Sequence, residues 1–141
     1  MTNMQAALGL AQFEFWDYHI AKKRAIGKKY REAFQNLAGF QFQAFDCGYA
    51  ENIYWVFGLV AETEELCNKM MGFLHEKGIG TRPFFWCMHE QPVFTKMGLF
   101  SDERYPVAEK LARNGFYIPS GLGIEDKEMD HVIEMINCFS N

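Results

Sequence analysis

Hydrophobic residues recur at helical spacing through the first forty positions of the chain. Residues 4–20 are apolar on nearly every side, and from Lys22 onward a single apolar stripe faces a run of lysines and arginines. Thr2 and Gln5 form a capping-box pattern, which predicts a helix start at the N-terminus. If Gly27 does not break it, the pattern predicts one helix of about 35 residues and about 50 Å, ended by Gly39.

The rest of the chain alternates short β-type and helical patterns. Ile53 to Val60 has the strongest strand pattern, and we expect this strand to be central in a sheet, with Trp55 and Phe57 buried. The other predicted elements are a strand at 40–43, a turn at 46–51, a helix at 63–77, an extended segment at 79–85, a loop at 95–104, a helix at 107–113 preceded by Pro106, a strand at 116–118 and a helix at 126–139. This order predicts an α+β fold, in which a long N-terminal helix precedes a small, mostly antiparallel sheet covered by helices.

Composition narrows the classes of function. The chain has 141 residues, of which 49% are hydrophobic and 16% aromatic, so we expect some apolar surface to belong to an interface. A net charge of −4 argues against a nucleic-acid partner. There is no long apolar run and no signal-peptide pattern, so we expect no membrane association and a cytoplasmic location. The 4 cysteines are scattered singles, which favours reduced thiols and no zinc site.

The segment 78–94 is the strongest candidate for a binding site. Pro83 and Pro92 prevent a continuous helix, so its aromatic residues lie in irregular backbone beside Arg82 and His89. A cation and an imidazole among aromatic rings suit a polar ligand. The alternative interpretation is a buried loop with one surface arginine and one hydrogen-bonded histidine. Metal hydrolysis is discarded, because Val93 stands where a zinc-protease helix would need its second histidine.

Several motifs, in one order along the whole chain, resemble those of a known family. They are Thr2 to Gln12, Gly78-Ile-Gly-Thr-Arg-Pro-Phe-Phe85, His89-x-Gln-Pro-Val-Phe94, Tyr105-Pro-Val-Ala-Glu109 and Gly115 to Leu122. Together they are similar to the C-terminal part of the DegT/DnrJ/StrS family of pyridoxal-phosphate-dependent sugar-nucleotide aminotransferases. Within that family the resemblance is closest to the GDP-perosamine synthases.

The resemblance implies an architecture and a reaction. The fold would be the small C-terminal domain of a fold-type I transferase, with residues 1–38 as the connecting helix from a large domain and residues 39–141 as the small domain. The family forms homodimers and moves an amino group, usually from glutamate, to the keto carbon of a nucleotide-linked sugar. Thr81, Arg82 and His89 are the candidate substrate contacts, and a GDP-linked 4-keto-6-deoxyhexose is the expected substrate.

The cofactor chemistry has no match in this sequence. Pyridoxal phosphate needs a Schiff-base lysine, an acid for the ring nitrogen and a phosphate cup, and no lysine here has the setting that the family's catalytic lysine has. We therefore expect pyridoxal phosphate in the complete enzyme, no cofactor on this chain alone, and no catalytic residue in it. We also expect self-association through residues 4–20. The alternative is a non-catalytic binding or scaffolding module that keeps the fold.

Overall fold

The computed structural model describes residues 1–139, and this part of the chain contains a four-stranded sheet and six α-helices. The helices are α1 (Asn3–Glu14), α2 (Trp16–Phe34), α3 (Glu64–Glu76), α4 (Pro92–Lys96), α5 (Pro106–Asn114) and α6 (Asp126–Phe139), with a 3-10 helix at Met88–Glu90. The strands are β1 (Phe40–Phe42), β2 (Phe57–Ala61), β3 (Arg82–Pro83) and β4 (Gly115–Ile118). Residues 140–141, the end of the predicted small domain, lie outside the described residues.

The sheet has the strand order β1-β2-β4-β3, and every pair of neighbours is antiparallel. The predicted α+β fold with a small antiparallel sheet is therefore confirmed. Strand β2 lies between β1 and β4, as expected for the most hydrophobic strand. In the register, Phe57 lies opposite Ile118 and Arg82 lies opposite Tyr117.

The first half of the predicted central strand is a bend instead. Tyr54 has a φ of 52°, and its backbone N–H donates to the Asn52 side-chain oxygen at 2.7 Å, so the chain turns before β2 begins at Phe57. Trp55 consequently points outward and is 70% exposed, whereas Phe57 is 1% exposed. The prediction that Phe57 is buried is confirmed, and the prediction that Trp55 is buried is wrong.

The long N-terminal helix is interrupted once, and not at Gly27. The capping box of Thr2 and Gln5 is present in both directions, and α1 ends at Glu14 because its C-cap residue Phe15, with a φ of −105° and a ψ of 15°, leaves the helical region. Gly27 lies inside α2. The helix ends at Phe34, so Gly39 is not its cap; Gly39 has a φ of 79° in the turn that enters β1.

One face of the sheet carries the core. The C-terminal half of α2 packs with α3 and α6 against this face, and the fully buried large side chains include Tyr30, Phe34, Phe57, Leu59, Met70, Leu74, Phe116 and Ile136. The Tyr30 hydroxyl donates to the Pro119 carbonyl oxygen at 2.7 Å, and burial raises the pKa of this phenol. Hydrogen bonding of the one polar atom of Tyr30 allows the ring to lie in the core.

The segments between the helices differ from prediction in detail. Of the extended segment predicted at 79–85, Arg82 and Pro83 form β3, and helix α4 occupies the first two residues of the predicted loop at 95–104 because Pro92 starts it. The helices predicted at 63–77, 107–113 and 126–139 are confirmed. Within residues 1–139, none of the helices has the length and hydropathy needed to cross a bilayer.

Candidate functional site

Arg82 lies on the face of the sheet that is opposite to the core. It is exposed on the edge strand β3 and directly opposite Tyr117 of β4, so the two side chains leave the sheet on the same side. Thr81, the residue before it, is half-buried. The guanidinium is thus available to a ligand that approaches this face.

Aromatic rings also lie on this face of the sheet, and two glycines make room for one of them. The Phe84 ring lies over Gly58 and Gly115, where added Cβ atoms would be 2.8 Å and 2.3 Å from the ring. Its ring stacks on Tyr117 with centroids 4.6 Å apart, and Phe85 beyond it is 76% exposed. The outer face of the sheet therefore presents Arg82 beside a short row of aromatic rings.

His89 is held in a different setting. It is 9% exposed, and its Nε2 lies 3.0 Å from Oε1 of Glu109 on helix α5. The Tyr105 ring meets the imidazole edge-on at 5.0 Å, and the Tyr105 backbone N–H donates to the same oxygen of Glu109 at 3.0 Å. This backbone hydrogen bond, followed by the one to His89, holds the pKa of the Glu109 carboxyl below its usual value.

A second contact joins the 3-10 helix that contains His89 to helix α5. Arg113 donates to Oε1 of Glu90 at 2.7 Å, and its guanidinium carbon lies 4.8 Å from the centre of the Trp86 ring. Glu109 and Arg113 are four residues apart, so both face the turn from one side of α5. We call the pairs His89–Glu109 and Glu90–Arg113 the α5 clasp.

The structure brings some of the predicted site residues together and separates others. Thr81 and Arg82 are adjacent on the sheet face. His89 instead lines a cavity of about 610 Å³ with Trp86, Glu90, Thr95, Phe100 and the residues 101–104. Thr81 and Arg82 do not line this cavity. Glu109 and Arg113 were not among the predicted site residues, although their i, i+4 spacing on a predicted helix was a usable signal.

The lysine with the environment closest to that of a Schiff-base lysine is Lys23. Burial lowers the pKa of its amine, as a reactive lysine requires. However, its Nζ donates to the Ser120 carbonyl oxygen, and the flanking Pro119 and Gly121 supply neither an acid for a pyridine nitrogen nor a basic phosphate cup. Within residues 1–139, the surroundings of Lys23 therefore do not fit pyridoxal phosphate.

Comparison with known proteins identifies the class to which this fold and segment belong. The model of the DegT/DnrJ/EryC1/StrS aminotransferase family matches residues 1–137. The chain belongs to this aminotransferase family.

Two relatives and one solved structure are similar to nearly the whole of this chain. The chain is 30% identical over 139 residues to a GDP-perosamine synthase of Escherichia coli O157:H7 and 31% identical over 144 residues to one of Vibrio cholerae. These alignments cover 99% and 100% of this chain, but only 36% and 37% of the two enzymes. The PLP-form of Spr1654 from Streptococcus pneumoniae has the same fold, with a TM-score of 0.88 at 21% identity over 99% of this chain and 36% of that one.

Proposed function

We propose that this chain supplies the sugar-nucleotide side of the active site in a pyridoxal-phosphate-dependent sugar aminotransferase. The observation that carries the proposal is the family match over residues 1–137, together with an exposed Arg82 beside aromatic rings on an outer sheet face. The preferred substrate is a GDP-linked 4-keto-6-deoxyhexose, which would become the 4-amino sugar with glutamate as amino donor. Two GDP-perosamine synthases at 30% and 31% identity support this choice.

The chain's own residues have binding and positioning roles in this proposal. The planar fork of Arg82 makes paired, charge-assisted hydrogen bonds to the diphosphate, and the Thr81 hydroxyl adds a further donor. Aromatic rings such as that of Phe85 pack against the planar base of the nucleotide. His89 completes the site from the neighbouring turn. Pyridoxal phosphate supplies the electron sink in the complete enzyme. The amine that would hold this cofactor belongs to a lysine outside this chain.

The proposal includes self-association through residues 4–20. Helix α1 has no buried residue, and its large apolar side chains are 60–73% exposed at Met4, Leu8, Leu10 and Phe13. Such a continuous apolar surface is stabilised by a second subunit or a further domain. Four free cysteines fit the reducing conditions of the cytoplasm, where we place the protein.

A combined binding experiment tests the proposal. Pyridoxal phosphate added to the purified chain should produce no protein-bound aldimine absorbance, and borohydride should trap no lysine. Calorimetry with GDP-mannose, a stable analogue of the keto sugar, should show binding, and UDP-glucose should bind more weakly. Light scattering should show a dimer or larger species at high concentration.

Three results would contradict parts of the proposal. A stoichiometric aldimine on one lysine would contradict the absence of catalytic residues. A chain that binds neither sugar nucleotide would favour the alternative function, a scaffolding module without a substrate site. A monomer at high protein concentration would remove the interface from the proposal.

A further inference from the structure

Three potential metal ligands converge in the turn that follows β3. One ligand atom each from Cys87, His89 and Glu90 lies within 4.8 Å of the other two. Cys87 is 8% exposed and His89 is 9% exposed, so the group is largely shielded from water. The scattered cysteines predicted no zinc site, but here the histidine and the carboxylate come from the cysteine's own turn.

Glu109 orients the imidazole of His89 as a metal site requires. The Glu109 carboxylate, which also accepts from the Tyr105 backbone N–H, accepts a hydrogen bond from Nε2 of His89. In the tautomer that donates from Nε2, the lone pair of Nδ1 can bind a metal ion. A histidine ligand whose second nitrogen donates to a carboxylate is the usual arrangement around protein-bound zinc.

Glu90 is oriented in the same way. Its Oε1 accepts from Arg113 at 2.7 Å, whereas its Oε2 is buried and has no hydrogen-bond partner. A buried carboxylate oxygen without a partner costs free energy. The α5 clasp therefore engages Nε2 of His89 and Oε1 of Glu90, and it leaves Oε2 of Glu90 without a hydrogen-bond partner.

We propose that Cys87, His89 and Glu90 form a zinc-binding site with an open fourth position. Cysteine sulfur, imidazole nitrogen and carboxylate oxygen are all zinc ligands, with bond lengths of about 2.0–2.3 Å. Ligand atoms around a tetrahedral ion are then roughly 3–4 Å apart, so shifts of about 1 Å close the site. The cavity of about 610 Å³ beside His89 and Glu90 gives the ion a route in and a place for the fourth ligand.

The charges balance when the ion binds. Zn²⁺ replaces the proton of the Cys87 thiol, so one proton is released and a thiolate and a carboxylate neutralise the metal. Because the thiol must lose its proton to bind the ion, affinity should increase with pH. The zinc site shares His89 with the proposed substrate site, and with zinc bound Thr81 and Arg82 remain the direct substrate contacts.

Cobalt titration of the metal-free chain tests the site, because Co²⁺ replaces Zn²⁺ and reports thiolate ligation in its absorbance. We expect one Co²⁺ per chain, a thiolate-to-cobalt charge-transfer band, and loss of that band when Zn²⁺ is added. Cys87→Ser should lose the band. The matched control is Cys138→Ser, which removes an exposed cysteine and should keep both the band and the stoichiometry.

Two further variants keep the test decisive if Cys87→Ser does not fold. Glu90→Gln retains an acceptor for Arg113 but should weaken binding, and Glu109→Gln should weaken binding about 10- to 100-fold while keeping the thiolate band. A band that persists in Cys87→Ser, or unchanged affinity in both glutamine variants, would overturn the assignment. Absence of a thiolate band in the wild-type chain would overturn it as well.

Discussion

The ring of Tyr54 covers Gly27 so closely that a Cβ added to Gly27 would lie 2.2 Å from it. Tyr54 is 1% exposed and has a φ of 52°, and its hydroxyl accepts from Arg31 at 3.3 Å. The glycine in the middle of α2 is thus a packing site for the bend that precedes β2. It is not a helix breaker.

Gly27→Ala should destabilise the protein by about 1–3 kcal/mol, the usual cost of forcing extra volume into a packed site. At an unhindered helix position, the same substitution would instead raise the free energy of unfolding by up to about 1 kcal/mol. The matched control is Gly72→Ala in α3, where a Cβ meets nothing within 4 Å. Urea unfolding should show a lower free energy of unfolding for Gly27→Ala and a higher one for Gly72→Ala. Equal increases in the two variants would contradict the packing role of Gly27.

Phe57 and Trp55 should respond very differently to truncation. Phe57→Ala should cost about 3–5 kcal/mol because the ring lies in the core, whereas Trp55→Ala should change the free energy of unfolding by less than about 0.5 kcal/mol. The same unfolding measurement checks both variants. A large loss at Trp55 would show that the tryptophan is buried against a partner, most simply another copy of the chain.

Local sequence patterns predicted the elements whose signals are contained in a few residues. Thr2 with Gln5, Thr63 before α3 and Pro106 at the start of α5 satisfy the ends of their helices locally, so these boundaries were correct within about two residues. The bend at Tyr54 could not be predicted in this way. It depends on the space above Gly27, which is 27 residues away in the sequence.

In the candidate site, too, only the part with a local sequence signal could be predicted. The segment 78–94 was recognisable because prolines, aromatic residues and Arg82 are concentrated in it. The α5 clasp was not, since Glu109 and Arg113 contact this segment from a helix some twenty residues further along the chain. Whether a histidine is free or held depends on such distant partners, and here the partner of His89 is Glu109.

The α5 clasp should make stability depend on pH through Glu109. Because the folded state lowers the pKa of this carboxyl, its contribution is present above the ordinary glutamate value of 4.5 and is lost as pH falls through the lower folded value. Wild type should therefore be more stable than Glu109→Gln at pH 7, and the difference should vanish in acid. Thermal unfolding of both proteins from pH 7 to pH 3 measures this; a difference that does not change with pH would contradict it.

Arg82 should carry a large share of the affinity for sugar nucleotide. Loss of charge-assisted hydrogen bonds costs about 1.5–3 kcal/mol, so Arg82→Ala should weaken GDP-mannose binding about 10- to 100-fold, and Arg82→Lys should lie between because lysine lacks the planar fork. In the complete enzyme, Arg82→Ala should raise KM for the sugar nucleotide more than it slows cofactor loading. Calorimetry and steady-state kinetics measure the two effects.

The control for Arg82 is Lys69→Ala, which removes an exposed cation from helix α3 and should leave binding unchanged at moderate salt. This comparison separates a specific contact from the general loss of positive charge, which screening reduces at distances beyond about 10 Å. His89→Ala is measured beside it, since His89 belongs to the same segment 78–94 as Arg82 and lines the neighbouring cavity. Unchanged sugar-nucleotide binding in both Arg82→Ala and His89→Ala would remove these two residues from the substrate site, because no other cation or imidazole is proposed to contact the substrate.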